Sequence, residues 1–197
     1  IPYSQPLLFL SADHLMERQN IFYKEIKRYQ KYLSDKNIFI FGIKPTMPSS
    51  EFGYFLTKKK KKIDQVIKFI EKPSKSIAKS LIAKKGYWNS GMFFIRKNSI
   101  INNFKKHQLT TYKYCQKAVL KSKHIKNIYY LDKNEFIKST PKSFDHAVLE
   151  KTKEINAIKL NIPWSDLGSW QEICKMFDKN KKNLIKKKNI FYPPWGR

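Results

Sequence analysis

Ile38-Phe39-Ile40-Phe41-Gly42-Ile43 contains no polar side chain. A run that short and that apolar reads as a strand buried on both faces. Leu7-Leu8-Phe9-Leu10 is a run of the same kind, expected as a buried parallel strand. Between the two, Ile21, Phe22, Ile26, Tyr29 and Leu33 recur at helical spacing with Lys and Glu interspersed. Strand, helix, strand is a βαβ unit, whose crossover should be right-handed. The fold class implied is α/β.

The remaining pattern continues in the same vein. Ile63 to Ile70 reads as a strand of mixed character, Ser74 to Lys84 as a helix and Trp88 to Ile95 as a strand. Residues 97–121 are expected to form two helices, Phe144 to Lys151 a short helix and Ile155 to Leu160 a strand. Trp164 to Ser169 reads as a loop capping a helix that runs to about Phe177, with Ser169 as its N-cap. The polar tail from Lys179 to Lys188 has the composition of a linker.

Composition narrows the class. A chain of 197 residues can bury one sizeable core, and 41% hydrophobic with 15% aromatic residues is not the make-up of a disordered chain. No apolar run approaches the length of a membrane span, and the start shows no secretory signal. The expectation is a cytoplasmic protein with no membrane partner. The start also lacks Met, a hint that the true N-terminus lies elsewhere. Cys115 and Cys174 are far apart without metal-ligand spacing, which fits reduced thiols. The formal net charge of +26 raises the possibility of nucleic-acid binding by phosphate neutralisation. Arginine, however, occurs only at Arg18, Arg28, Arg96 and Arg197, and base readout favours it. The lysines spread along the whole chain beside abundant Ile and Asn, as AT-rich codon usage would give. No specific nucleic-acid partner is expected. Lys58 to Lys62, the densest run, reads as a solvated turn between strands.

Chemistry concentrates at strand ends. Asp13 follows the first apolar run, where open α/β sheets bind ligands. With Asp166 it could converge on one divalent cation, since Mg²⁺ takes one or two carboxylates plus substrate phosphates; from spacing alone both could equally be turn residues. Glu71-Lys72-Pro73 follows an apolar strand directly. Its carboxylate could accept sugar hydroxyls and its ammonium could meet a phosphate, or the two could form a surface ion pair. Tyr87-Trp88-Asn89-Ser90-Gly91-Met92-Phe93-Phe94 opens a strand with an amide, a hydroxyl and a glycine beside rigid aromatics. That combination suits a polyhydroxylated ligand such as a sugar. The alternative is a turn leading into a core strand.

Seven segments in order resemble the mannose-1-phosphate guanylyltransferases, particularly the bacterial form fused to a mannose-6-phosphate isomerase. They are Ser11-Ala12-Asp13-His14, Phe41-Gly42-Ile43-Lys44-Pro45-Thr46, Phe52-Gly53-Tyr54, Phe69-Ile70-Glu71-Lys72-Pro73, Tyr87 to Phe93, Ser143 to Thr152, and Trp164-Ser165-Asp166-Leu167-Gly168-Ser169-Trp170. The resemblance covers about Leu7 to Asn180. It implies a Rossmann-like nucleotide-diphospho-sugar transferase fold, N-terminally incomplete. Residues 1–180 would be the sugar-phosphate half of the catalytic domain, and 181–197 a linker and the start of a further domain. It implies GTP and mannose 1-phosphate as substrates, with Mg²⁺ held by Asp13 and Asp166. Glu71 and Asn89 would bind mannose hydroxyls, Gly53 would let the sugar approach the backbone, and Lys72 would meet the sugar phosphate. Asp145 and Lys151 would lie near the sugar side. Relatives often form homodimers. Mannose as the sugar rests wholly on this resemblance.

Three departures accompany it. Glu51 stands where the family has glycine. The family's N-terminal glycine-rich loop, which cradles the triphosphate, is absent from this sequence. Tyr192-Pro193-Pro194-Trp195-Gly196 resembles the opening of the isomerase domain, where the sequence stops. An inactive remnant or sugar-nucleotide-binding fragment is therefore the alternative expectation.

Overall fold

The computed structural model describes residues 5–168; the expected helix from Ser169 and the tail beyond it lie outside the described residues. Ten strands and five α-helices follow in order: β1 (Pro6–Phe9), β2 (Leu15–Met16), α1 (Gln19–Gln30), β3 (Ile38–Ile43), β4 (Tyr54–Lys60), β5 (Ile63–Ile70), α2 (Lys75–Ala83), β6 (Tyr87–Arg96), α3 (Lys97–His107), α4 (Leu109–Leu120), β7 (Lys123–Ile125), β8 (Ile128–Tyr130), α5 (Lys133–Phe136), β9 (Ile155–Leu160) and β10 (Trp164–Ser165). The main sheet has the order β1-β6-β3-β9-β5-β4.

β3 explains the architecture. All six of its residues are buried, and it pairs β9 in parallel on one side and β6 antiparallel on the other. Strand side chains alternate between faces. Phe39, Phe41 and Ile43 join one core with Phe22 and Tyr29 of α1 and Ala78 and Leu81 of α2. Ile38 and Ile40 join the other with Ala147, Val148 and Leu149, packed by Ile100 and Phe104 of α3. An apolar run without alternation is thus a central strand with helices over both faces.

The βαβ reading holds with one change. β1 and β3 both run antiparallel to β6, hence parallel to each other, but β6 lies between them. β1 is therefore not the buried parallel strand expected; it is an antiparallel edge strand, with Phe9 40% and the following Leu10 55% exposed. Chain-local apolarity cannot distinguish a central from an edge position. Lys58 to Lys60 also differ from expectation. They continue β4, and only Lys61, at φ 56°, and Lys62 turn the chain into β5. Phe144 to Lys151 holds a single π turn over Asp145–Leu149, closed by Glu150 N–H donating to Asp145 C=O at 3.0 Å. The β7–β8 hairpin and α5 were not foreseen.

Candidate active site

Two returns of the chain build the site. At the start of β4, Tyr54 and Phe55 pair with Trp88 and Tyr87 of β6, in addition to the β4–β5 pairing. This sets Gly53 beside Asn89, whose N–H donates to Gly53 C=O at 2.7 Å. The second return is the short antiparallel pair of β2 and β10, in which Leu15 faces Ser165 and Met16 faces Trp164. The loops just before Leu15 and just after Ser165 carry Asp13 and Asp166. The pairing therefore brings the two aspartate loops together.

Between these returns lies a cleft of about 180 Å³. Glu51, Glu71, Asp145 and Asp166 line it, and among the described residues no Lys or Arg does. In a chain of net charge +26, a cleft walled by carboxylates is a local inversion of the overall field. Aromatic residues form one side: Phe52 packs against Trp164 at 5.4 Å and against Trp88 at 4.8 Å between ring centroids. His14 meets the edge of Trp164 at 5.2 Å.

The polar floor is a connected network. Asn89 Nδ2 donates to Asp145 Oδ1 at 2.8 Å. Glu71, the first residue after β5, donates its N–H to Glu150 Oε1 at 3.4 Å. The Glu71 carboxylate rests against Gly53, where a Cβ would sit 2.3 Å from Glu71 Oε2. Glycine at 53 leaves the Glu71 carboxylate that position, which a methyl there would force it to give up. Among the described residues, Glu71 Oε2 and Asn89 Oδ1 are buried acceptors without a protein partner, and the Trp164 indole N–H is an unpartnered donor. Buried polar atoms are normally satisfied, so a wall of unmet acceptors and donors is suited to the hydroxyls of a ligand.

Burial sets the electrostatics. Desolvation, with the like charge of Asp145 behind it, pushes the Glu71 carboxyl up to about 7. Burial likewise raises Asp145, against the hydrogen bond from Asn89. His14 is pushed down by burial, while Asp13 and Asp166 both oppose that shift. Both aspartates thus act on the same imidazole, as the β2–β10 pairing requires.

Among the described residues, no group of three or more His, Cys, Asp or Glu could hold a metal ion unaided. A Mg²⁺ ion held by Asp13 and Asp166 would need further oxygens from a ligand or water. The Asp13 side chain is 81% exposed, 3.9 Å from His14 Nε2. Asp166 Oδ1 accepts from Gly168 N–H at 3.2 Å. Two carboxylates completed by phosphate oxygens and water form an ordinary Mg²⁺ donor set.

Of the residues expected from sequence, the cleft brings together Gly53, Glu71, Asn89, Asp145 and Asp166. Asp13 is beside its rim through His14. Lys72 and Lys151 are exposed and not part of the lining. At Lys72 the backbone turns left-handed, φ 44°, immediately before buried Pro73. Successive residues there diverge, with Glu71 inward and Lys72 outward. Sequence reasoning gave no role to Ser11, His14, Phe52, Trp164 or Glu150, although each lies inside a segment that carried the resemblance. Adjacency to an assigned residue was the available signal.

These features define an α/β protein with a small polar cleft beside two loops that carry Asp13 and Asp166. The Nucleotidyl transferase family matches residues 2–183, and the chain belongs to that family. It is 33% identical over 188 residues to the mannose-1-phosphate guanylyltransferase of Salmonella typhimurium, covering 94% of this chain and 39% of that protein. A solved Helicobacter pylori structure described as mannose-6-phosphate isomerase superposes with a TM-score of 0.76 at 26% identity, over 84% of this chain and 66% of that one. A Thermus thermophilus structure described as mannose-1-phosphate geranyltransferase superposes with a TM-score of 0.75 at 22% identity, over 87% and 49% of the two chains, and shows the fold. The chain thus spans about 39% of the length of the Salmonella relative.

Proposed function

We propose that the chain is the sugar-phosphate-binding part of a mannose-1-phosphate guanylyltransferase, which joins mannose 1-phosphate to GTP and releases pyrophosphate. The observation that carries this reading is the Gly53–Asn89–Asp145–Glu71 network with its unpartnered Glu71 Oε2 and Asn89 Oδ1. The similarity to guanylyltransferases supports it. Asn89 and Glu71 present acceptors to sugar hydroxyls, and Phe52 and Trp164 wall the ring in. Gly53 leaves the Glu71 carboxylate its position. In the reaction a phosphate oxygen of the sugar phosphate forms a bond to the α-phosphorus of GTP. The bond between that phosphorus and the bridging oxygen to the β-phosphorus breaks, and the electron pair leaves on pyrophosphate. The residues' contribution is orientation of the nucleophile. Asp13 and Asp166 would hold Mg²⁺, which when bound neutralises phosphate charge beside an otherwise acidic cleft.

One observation favours a second reading, sugar-nucleotide binding without turnover: among the described residues no Lys or Arg lines the cleft to meet a triphosphate. A pyrophosphate-release assay with GTP, mannose 1-phosphate and Mg²⁺ separates the two. Turnover that falls at least 100-fold in Asp13→Asn supports the transferase. Ligand-induced thermal stabilisation by GDP-mannose with no turnover supports the second reading, and turnover indifferent to Asp13→Asn removes the metal role.

A further inference from the structure

We infer that Glu150 is a positioning residue that fixes Glu71 in the cleft from behind; this rests on the sugar-binding reading of Glu71. The π turn from Asp145 to Leu149 carries two acids with different partners. Asp145 Oδ1 accepts from the Asn89 amide at 2.8 Å, and Glu150 Oε1, one residue beyond the turn, accepts from Glu71 N–H at 3.4 Å. One turn therefore holds the side chain of one cleft residue and the backbone of the other. The wide i→i+5 closure, Glu150 N–H to Asp145 C=O at 3.0 Å, ties the two acids together.

The turn is itself anchored. Its residues Ala147, Val148 and Leu149 are buried in the core, and Gln108 Nε2 donates to Ala147 C=O at 3.2 Å. Glu150 is held from its other oxygen, with His146 Nδ1 3.0 Å from Glu150 Oε2. That contact pushes the His146 imidazole up from its ordinary value. Glu71 needs such support because the chain reverses just after it, through left-handed Lys72 into Pro73. Without the acceptor at Glu150, the Glu71 N–H loses its partner and the carboxylate swings on a strained hinge.

Two readouts on the 197-residue chain test this. Amide hydrogen exchange at Glu71, followed by NMR, should quicken at least tenfold in Glu150→Ala and stay within threefold of wild type in Glu150→Gln, whose side-chain carbonyl still accepts. Mannose 1-phosphate affinity in Mg²⁺ should fall about tenfold in Glu150→Ala and recover in Glu150→Gln, with melting temperature and GTP affinity little changed. Glu71 exchange and sugar-phosphate affinity that match wild type in Glu150→Ala overturn the proposal. Should wild type bind no mannose 1-phosphate, the sugar reading fails. The exchange measurement still decides whether Glu150 holds Glu71: quickening in the Ala variant alone supports that contact, and equal rates refute it.

Discussion

At the scale of single residues, the site rests on acids placed where they are costly to ionise. Glu71 titrates at about 7 instead of the ordinary 4.5. The folded chain therefore binds a proton at Glu71 more tightly than the unfolded chain does. Stability falls as pH rises from about 4.5 to about 7 and is flat above that. With the half-exposed carboxylate discounted for solvent screening, the loss is about 1–2 kcal/mol. Glu71→Gln should flatten that part of a melting-temperature profile against pH and leave the variant more stable than wild type at pH 8. Sugar-phosphate affinity runs the other way, rising through pH 7 as Glu71 becomes an acceptor. Gly53 makes a sharper test of the cleft. In Gly53→Ala the new methyl meets the movable end of Glu71. The variant should fold with a loss of about 1 kcal/mol while mannose 1-phosphate binding, read by titration calorimetry, drops at least tenfold.

At the scale of elements, local chemistry explains helix ends better than strand positions. α2 begins at the Ser74 N-cap, whose Oγ accepts from Ile77 N–H at 3.4 Å. It ends in a Schellman pair, with Gly86 N–H donating to Leu81 C=O and Lys85 N–H to Ile82 C=O, each at 2.8 Å. The left-handed position of that motif, φ 58°, is held by Lys85, where glycine is usual. Lys85→Gly should raise stability by about 0.5–1 kcal/mol in a denaturation series, since the Cβ penalty of the left-handed region disappears. Unchanged stability would mean the motif carries no strain. Gly86, where a Cβ would lie 2.8 Å from the Leu81 carbonyl oxygen, should not tolerate Ala.

What sequence made legible follows from the same contrast. β3 was readable from its unbroken apolar run, and α1, β5, α2, β6, α3, α4 and β9 because their apolar residues run together or repeat at a period fixed by local geometry. β1 was misplaced because edge or centre is decided by the partner strand, β6, some eighty residues away. The π turn at Asp145 looked helical because five-residue and four-residue closures share nearly the same apolar spacing. Within the site, Asn89 and Glu71 were visible as unusual polar residues at strand ends. Lys72 was expected to meet the sugar phosphate; in the structure its backbone is left-handed and the residue is exposed, outside the cleft lining. His14 and Trp164 were given no role because an imidazole or indole is equally at home in a core.

At the scale of the whole molecule, charge and site are separate features. Ten lysines and two acids fall within residues 105–142, none of which is among the described residues lining the cleft, whereas that lining has four carboxylates. Polyanion binding by the chain should therefore be sequence-blind and fall steeply between 50 and 200 mM salt, as counterion release requires. It should not compete with a sugar phosphate in the cleft. A filter-binding series with unrelated DNA duplexes checks this; a preferred sequence would contradict it. Among the described residues no helix is long and apolar enough to cross a membrane. Phe9 of β1 and the following Leu10 are exposed at the edge of the main sheet.

The central claim is that Glu71 and Asn89 form the sugar half of a nucleotidyltransferase site. Calorimetric titration of the chain with mannose 1-phosphate in Mg²⁺ tests it most directly. The account predicts one saturable site, weakened at least tenfold in both Glu71→Gln and Asn89→Ala, each about 1.4 kcal/mol or more. Binding that is absent in the wild type, or unchanged by both substitutions, would contradict it.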